Sequence, residues 1–378
     1  MIVFLIDVEP LWKTGLYNAV VGRLERYSPH LVLNISYADT YCLTLAKHLL
    51  GKGVNKKRSN FFVGDIEVQT VVIPRGFIAT IMLKLPFLMA TLMKFEAKII
   101  KKELQKGCTN LAEVDLVCHW GLTSVIYASF MRNEIRSYYN FFHGSDVHTG
   151  PVKKQEVREL IFSAMNFAKI NFFVSKGLLH VARQLGYQKD NVAISYNGID
   201  LKLFKTKRHI NAVPVVGYAG NLLPVKGADL LPAIFDEIRK KVPMVQFKIA
   251  GDGFLRDSII DELASRKIDF NYLGKLQPEE MAAFYSTVDV LIMPSRNEGL
   301  PLAAVECIAA ECNLIATNVG GLPEVVASEF LVNHSDNIAY DFAKKVAEVL
   351  ILKPKQTVST DFDIEYSIKR ELDLILIS

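Results

Sequence analysis

DVLIMPSRNEGLPLAAVE, residues 289–306, decides how the rest of the chain is read. Residues 289–293 are a short apolar run of strand character. A helix follows from near Pro301, because proline suits the first helical turn. Glu298 therefore falls in the loop at the strand's carboxyl end, where open α/β sheets take their ligands. Gly299 lets the backbone approach a ligand closely, and the amides ahead of the helix can face an anion or sugar oxygens. Glu306 lies eight residues on, one to two turns into the helix, and can face the same crevice from deeper in. A carboxylate accepts two hydrogen bonds and so suits a ribose diol.

The same strand–helix rhythm runs in both directions from this stretch. Strands are predicted at residues 2–7, 31–36, 68–73, 115–119, 137–142, 171–174 and 192–194, with helices at 15–27, 122–134, 153–167 and 176–185. After the basic stretch 205–214 the series restarts, with strands at 215–219, 245–250, 270–273, 289–293 and 314–317. Continuous Val/Ile/Leu strands separated by helices indicate parallel sheets covered on both faces. Two such series predict two doubly wound α/β domains. The first is residues 1–207 joined by a C-terminal helix at about 360–378, and the second is residues 208–359. A chain of 378 residues fits two domains of about 100–200 residues each.

Composition narrows the class. Half of the residues are hydrophobic, 22% are charged and 10% aromatic, which excludes disordered, collagen-like and low-complexity chains. The opening MIVFLIDVEP has no basic region and meets Asp7, so it does not read as a secretory signal. Cys42, Cys108, Cys118, Cys307 and Cys312 form no CxxC pair and read as reduced thiols of a cytoplasmic protein. No His/Asp/Glu/Cys cluster has metal-ligand spacing, so no metal is expected. The basic residues lack interleaved aromatics, which argues against nucleic acid.

The net charge of +4 is unevenly spread: residues 1–210 carry 28 Lys/Arg against 16 Asp/Glu, and the rest carry 16 against 24. Such asymmetry suits a first half that faces an anionic surface or substrate. Residues 77–93 are mostly apolar but interrupted by Lys84 and Pro86, short of the roughly 20 residues of a spanning helix. They run into Lys94, Lys98, Lys101, Lys102 and Lys106, spaced along one helical stripe. A basic amphipathic helix of this kind fits an anionic bilayer. The other reading is a surface helix packed on its own sheet.

The pair Glu298 and Glu306 inside PSxxEGLPxxxxE resembles the signature of the family 4 glycosyltransferases, which have the GT-B fold. HGSD at residues 143–146 is similar to that family's HGxD segment. Asn197, Gly198, Ile199 and Asp200 with Phe204 resemble its NGxDxxxF stretch. VVGYAGNLLPVKG at 215–227, AGDG at 250–253, Gly274, and Gly320-Gly321 before Glu324 follow in the family's order. The resemblance spans about residues 2–375, strongest over 141–325 and weakest over 40–110.

The resemblance implies two Rossmann-like domains facing a central cleft, with the C-terminal helix returning to the first. It implies a retaining, hexosyltransferase-type enzyme that moves a sugar from a nucleotide-diphosphate sugar to an acceptor hydroxyl. UDP-sugar is favoured, GDP-sugar is the alternative, and no cofactor is required. On it, Glu306 binds the nucleotide ribose and Glu298 orients the donor sugar. Gly299, Leu300 and Pro301 line the sugar–diphosphate pocket, and Lys226 neutralises the diphosphate. Gly15 brings backbone amides to phosphate, His143 lies by the reacting sugar, and Lys275 and Leu276 offer backbone to the base. The expected catalytic set is His143, Glu298 and Lys226.

Three departures stand out. Asn221, counted with the donor-binding residues, replaces an arginine that usually helps clamp the diphosphate, and Arg256 is a candidate substitute. Glu311 and Asn313 replace a glycine and a proline. One glycine, Gly15, stands where many relatives have two. The basic first half, with Lys94, Lys98, Lys101 and Lys102 facing the membrane, suggests a lipid-linked, lipopolysaccharide or capsule precursor as acceptor. The protein would then be peripheral at the inner face of the cell membrane. Two alternatives stay open: a catalytically degenerate GT-B subunit of a glycosylation complex, and a nucleotide-sugar epimerase or hydrolase.

Overall fold

β-Branched and aromatic runs bounded by turns form two sheets in a computed structural model that describes residues 1–8, 15–40, 43, 47, 59–83, 85–119 and 123–377. Cys42 and Trp120 lie outside the described residues, as does the start of the helix predicted from residue 122. Contacts divide the chain into two units, Met1–Ser195 with Ile368–Ser378, and Tyr196–Ser367.

In the first unit, β1 (Ile2–Ile6), β2 (Leu31–Asp39), β3 (Phe61–Val63), β4 (Ile66–Arg75), β5 (Asp115–His119), β6 (Ser137–Phe142), β7 (Ile170–Phe173) and β8 (Val192–Ile194) make one sheet. Its order is β3-β4-β2-β1-β5-β6-β7-β8. The all-parallel expectation needs correction at one edge, where β3 runs antiparallel to β4. Gly64, at φ +55°, and Asp65 make the tight turn between them. Strand order reverses between β1 and β5, which is this sheet's switch point for ligands.

Helices α1 (Gly15–Tyr27), α2 (Phe77–Met82), α3 (Pro86–Gly107), α4 (Ser124–Phe130), α5 (Gln155–Phe167) and α6 (Lys176–Gln184) connect the strands. Successive residues of a strand face opposite sides. Val3 and Leu5 accordingly pack with Ile100, Leu104, Val125 and Ala164 on one face. Phe4 meets Tyr27 of α1 on the other. Residues 77–93 do not form one helix, because Pro86 opens α3 after α2 has ended. No described helix is long and apolar enough to cross a membrane.

The second unit holds β9 (Val215–Ala219), β10 (Gln246–Ala250), β11 (Asn271–Gly274), β12 (Val290–Met293), β13 (Asn313–Thr317) and β14 (Leu331–Val332), all parallel in the order β11-β10-β9-β12-β13-β14. Helices α7 (Leu231–Lys241), α8 (Arg256–Ser265), α9 (Pro278–Ser286), α10 (Leu302–Ala309) and α11 (Ile338–Leu352) link them. Val216, Phe235, Phe247, Ile292, Phe342 and Val346 form its core. The switch point lies between β9 and β12.

The last helix, α12 (Ile364–Ile377), starts in the second unit, and from Ile368 on its residues belong to the first. The contact division thus falls at 195/196 and 367/368, where the sequence places domain boundaries at 207/208 and near 360. The reason is a strap inside the second unit. Ile199 N–H donates to the Phe362 carbonyl and Ile364 N–H to the Ile199 carbonyl, while Tyr196 packs on Phe362 with ring centroids 4.6 Å apart.

Candidate active site

β9 and β12 are neighbours at the switch point, and the loops leaving their carboxyl ends carry most of the residues singled out above. After β9 the chain makes a tight turn at Pro224–Lys226, and Gly227 follows at φ +66°. A Cβ on Gly227 would lie 1.9 Å from the Pro294 carbonyl oxygen, so the turn can nest against the β12 loop only with glycine there. Across this contact Lys226 Nζ donates to both carboxylate oxygens of Glu298, at 2.8 and 2.7 Å. The Ser295 hydroxyl donates to Glu298 Oε1 at 2.7 Å. Glu298 is only 7% exposed, whereas the Lys226 side chain is 31% exposed and within reach of a ligand.

Two further residues set this geometry, and the sequence reading passes over both. Ser295 is held through its carbonyl, which accepts from the Thr317 hydroxyl at 2.5 Å. Arg296 ties the two loops together. Its guanidinium forks onto Asp229 at 2.6 and 2.7 Å and donates to the Pro224 carbonyl, while its N–H donates to the Val225 carbonyl. Both lie within the quoted PSRNEGLP stretch, but the groups that hold them in place lie 22 to 72 residues away.

Pro301 caps α10 (Leu302–Ala309), and Glu306 sits in its second turn. The Tyr285 hydroxyl donates to Glu306 Oε2 at 3.0 Å. Burial raises the Glu306 carboxyl above its ordinary value of 4.5, with the Tyr285 bond opposing. Nothing in the sequence paired Tyr285 with Glu306. Gly299, Leu300 and Pro301 follow Glu298 in the same loop, whose back rests on Gly320 and Gly321; the Gly321 N–H donates to the Glu298 carbonyl. Lys275 and Leu276 follow β11 at its carboxyl end, with Lys275 exposed. Asn221 is exposed after β9, and its carbonyl accepts from the Tyr218 hydroxyl. Arg256, the candidate substitute for the missing arginine, is engaged by Asp257 at 2.8 Å and Asp252 at 3.7 Å.

The first unit carries the remaining candidates. Gly15 is the first residue of α1 rather than part of the loop before it. His143 follows β6 at its carboxyl end. Asp146, fully buried, accepts from the backbone N–H groups of His143 and Gly144 and braces that turn. His143 Nε2 lies 3.0 Å from His119 Nδ1. Burial, with the nearby Arg23 charge, pushes the His143 ring down to about 3, so it is neutral at physiological pH.

On α3, Lys94, Lys98 and Lys102 are exposed, whereas Lys101 is half-buried and ion-paired with Glu134. The neighbouring α2 adds an apolar surface that the lysine spacing did not foretell. Phe77, Ile78 and Ile81 are all exposed, Ile78 by 75%. Among the described residues, no group of three or more His, Cys, Asp or Glu is placed to hold a metal ion.

Residues 201–359 match the family described as Glycosyl transferases group 1. An uncharacterised glycosyltransferase of Methanocaldococcus jannaschii is 28% identical over 257 residues, which cover 66% of this chain and 69% of that protein. Alignments with seven other curated relatives span between 24% and 45% of those proteins. Among solved structures, HepE of Anabaena in complex with UDP superposes with a TM-score of 0.71 at 15% identity, over the whole of both chains. The lipopolysaccharide outer core galactosyltransferase WaaB superposes with 0.71 at 13% identity, over 100% of this chain and 99% of that one. At those identities the likeness establishes the fold, which is GT-B.

Proposed function

We propose, from the premise that this chain is a GT-B glycosyltransferase of the family 4 kind, that it is a retaining hexosyltransferase using a nucleotide-diphosphate sugar. The observation that carries the reading is the Lys226–Glu298 pair at the second sheet's switch point. A diphosphate competes with Glu298 for the ammonium, and Lys226 is exposed enough to turn to it. Glu298, released, then accepts hydrogen bonds from sugar hydroxyls. Glu306 accepts from the ribose diol, and the amides of Gly299 and Leu300 meet diphosphate or sugar oxygens. Lys275 and Leu276 offer backbone groups to the base. The solved relative binds UDP, which favours a UDP-sugar here, with GDP-sugar as the competing donor.

Transfer proceeds on one face of the sugar. The bond from the anomeric carbon to the diphosphate oxygen breaks as the acceptor hydroxyl oxygen bonds that carbon from the same side. The acceptor proton passes to the departing phosphate oxygen. With Asn221 in place of an arginine, Lys226 carries more of the leaving-group charge. No step calls for a metal or cofactor.

The acceptor proposed is a lipid-linked or lipopolysaccharide-type glycan precursor at the inner membrane face. Exposed Phe77, Ile78 and Ile81 on α2 and exposed Lys94, Lys98 and Lys102 on the α3 that follows supply the apolar and the cationic groups that binding at a membrane surface requires. Radiolabelled UDP-glucose, UDP-galactose and GDP-mannose are to be incubated with a membrane lipid extract. Label entering lipid with one donor, and not with the Glu298→Ala chain, is the expected result. Donor consumed without extract would favour an epimerase or hydrolase. No nucleotide binding and no turnover would favour a non-catalytic subunit. In flotation, the chain is expected to rise with vesicles of phosphatidylglycerol and phosphatidylcholine; a chain that stays at the bottom argues against membrane docking.

A further inference from the structure

The first unit fixes one guanidinium from two sides and leaves its remaining edge open. Arg75 ends β4 at the carboxyl rim of the sheet. Its Nε and Nη2 donate to Glu96 Oε1 and Oε2 of α3 at 3.1 and 3.3 Å, and its Cζ lies 3.6 Å from the centroid of the Tyr37 ring on β2. Glu96, 4% exposed, also accepts from the Tyr127 hydroxyl of α4 at 2.5 Å, and that oxygen meets the Tyr37 hydroxyl at 3.0 Å. A buried carboxylate paired with an arginine often adds no more stability than apolar packing would. What the network supplies is orientation, since fork and stack together keep the guanidinium plane from turning.

Arg75 Nη1 has no partner among the described residues and is not one of the buried polar atoms left unpaired, so its N–H groups face solvent. The side chain is 20% exposed accordingly. Such an edge matches the oxygens of a phosphate. The carboxylates around it have partners of their own. Asp39, opposite Arg75 on β2, is paired with Lys47 at 2.8 Å, and Asp7, whose charge reaches the Tyr37 hydroxyl, accepts from Thr123 at 3.1 Å. Residues 75–98 carry four cations against one carboxylate, which favours an anion there. Apolar surface follows at once. α2 begins after Gly76, and its exposed Phe77 lies within about 7 Å of Arg75 along the backbone. Four strand spacings, about 19 Å, separate β4 from β6 and His143, so a ligand here is held far from the proposed reacting sugar.

We propose that Arg75 binds the phosphate of a lipid-anchored phosphate ester whose hydrocarbon chain lies on Phe77, Ile78 and Ile81. A soluble phosphate would use the guanidinium and leave the apolar surface idle. This rests on the reading of a lipid-linked acceptor, and it names the group by which that acceptor is held.

Octyl phosphate and inorganic phosphate, titrated calorimetrically into the full chain, are the probes. Octyl phosphate should bind at least about 10-fold more tightly, because its chain leaves water. Arg75→Met with Glu96→Gln removes one cation and one anion together, so the net charge is unchanged and the Tyr127 hydroxyl keeps an acceptor. It should weaken octyl phosphate by about 10–100-fold, the loss of hydrogen bonds to a charged group. Arg75→Lys, which keeps the ion pair with Glu96 but not the free edge, should show the same loss even if the double variant melts early. Ile78→Ser with Ile81→Ser changes only exposed side chains, and should weaken octyl phosphate while sparing inorganic phosphate. Unchanged octyl phosphate affinity in Arg75→Lys overturns the proposal. Equal affinity for the two probes overturns the lipid assignment in favour of a soluble phosphate. In the labelled-lipid assay Arg75→Lys should raise the apparent KM for lipid extract more than it lowers kcat. An unchanged KM would overturn the acceptor as the source and leave a bilayer headgroup. Calorimetry uses no donor, so its failure leaves the glycosyltransferase reading standing. Octyl phosphate binding at Arg75 with no transfer in the unaltered chain would refute the enzymatic reading alone.

Discussion

At the residue scale the second unit separates the carboxylate proposed to orient the sugar from the one proposed to bind ribose by their partners. Glu298 is held by Lys226 and Ser295, so Glu298→Ala removes a hydrogen-bonded charge and leaves an ammonium partly exposed. Transfer should fall at least about 100-fold, while stability falls by only about 1–3 kcal/mol. Parallel assay and thermal melting check this. Glu306 supports a pH prediction. Its carboxyl titrates above 4.5 in the folded chain, so the folded state binds more protons than the unfolded one between 4.5 and the raised value. That group's contribution to stability is present below 4.5 and is lost as pH rises through the raised value. Nucleotide binding has the opposite sign, because only the ionised carboxylate accepts two hydrogen bonds from a diol. Calorimetric affinity should weaken on acidification at a pH above the ordinary glutamate range, and Glu306→Gln should flatten that dependence. Glu298 and Glu306 were legible in the sequence because their spacing lies within one strand–loop–helix unit. Tyr285 was not, since its pairing is with a neighbour 21 residues away that only the fold brings close.

At the scale of elements, strands read better than their surroundings. β5, β6, β8 and β9 carry the bounds their apolar runs predict, because buried parallel strands are continuous in Val, Ile, Leu and aromatics. The hairpin of β3 and β4 was missed although Gly64-Asp65 is a turn pair, since a three-residue edge strand has too little pattern to count. The loop contact that positions Lys226 depends on elements as wholes, and two variants probe it differently. Gly227→Ala pays at least about 1–2 kcal/mol for its left-handed conformation and also drives a Cβ into the Pro294 carbonyl. It should lower the melting temperature and weaken nucleotide binding together. Arg296→Ala cuts an exposed tie, worth under about 1 kcal/mol of stability. It should therefore leave melting almost unchanged while kcat falls as Lys226 loses its register, a split read from melting and labelled-lipid turnover on one preparation.

At the scale of the whole molecule, the last helix closes the first unit across the full length of the chain. Glu371, 1% exposed, receives a fork from Arg23 with a closest approach of 2.7 Å, the Tyr27 hydroxyl at 2.8 Å, and the Ser195 hydroxyl. The sequence foretold that a terminal helix would return to the first domain, but not that it would be fastened by a buried ion pair. A carboxylate mid-helix looks like any solvated glutamate until its partner is known. Breaking one side of such a pair leaves the other charge buried and uncompensated, at about 3–5 kcal/mol. Glu371→Ala should therefore destabilise the first unit by that order, and Glu371→Gln by less, since the amide oxygen still accepts from Arg23 or Tyr27. A two-unit chain need not unfold in one step, so the measurement must report on one unit. Backbone hydrogen exchange at increasing urea, read on peptides from β1 and β5 to β7, follows the first unit alone. Its urea midpoint should drop in Glu371→Ala. The second unit, whose candidate donor site contains no residue of that network, should still gain about 2.7 kcal/mol from nucleotide at 100 times its dissociation constant, as seen by far-ultraviolet dichroism. An unchanged midpoint in those peptides would mean that the helix is held by its apolar face, Ile368 and Ile375, rather than by the ion pair.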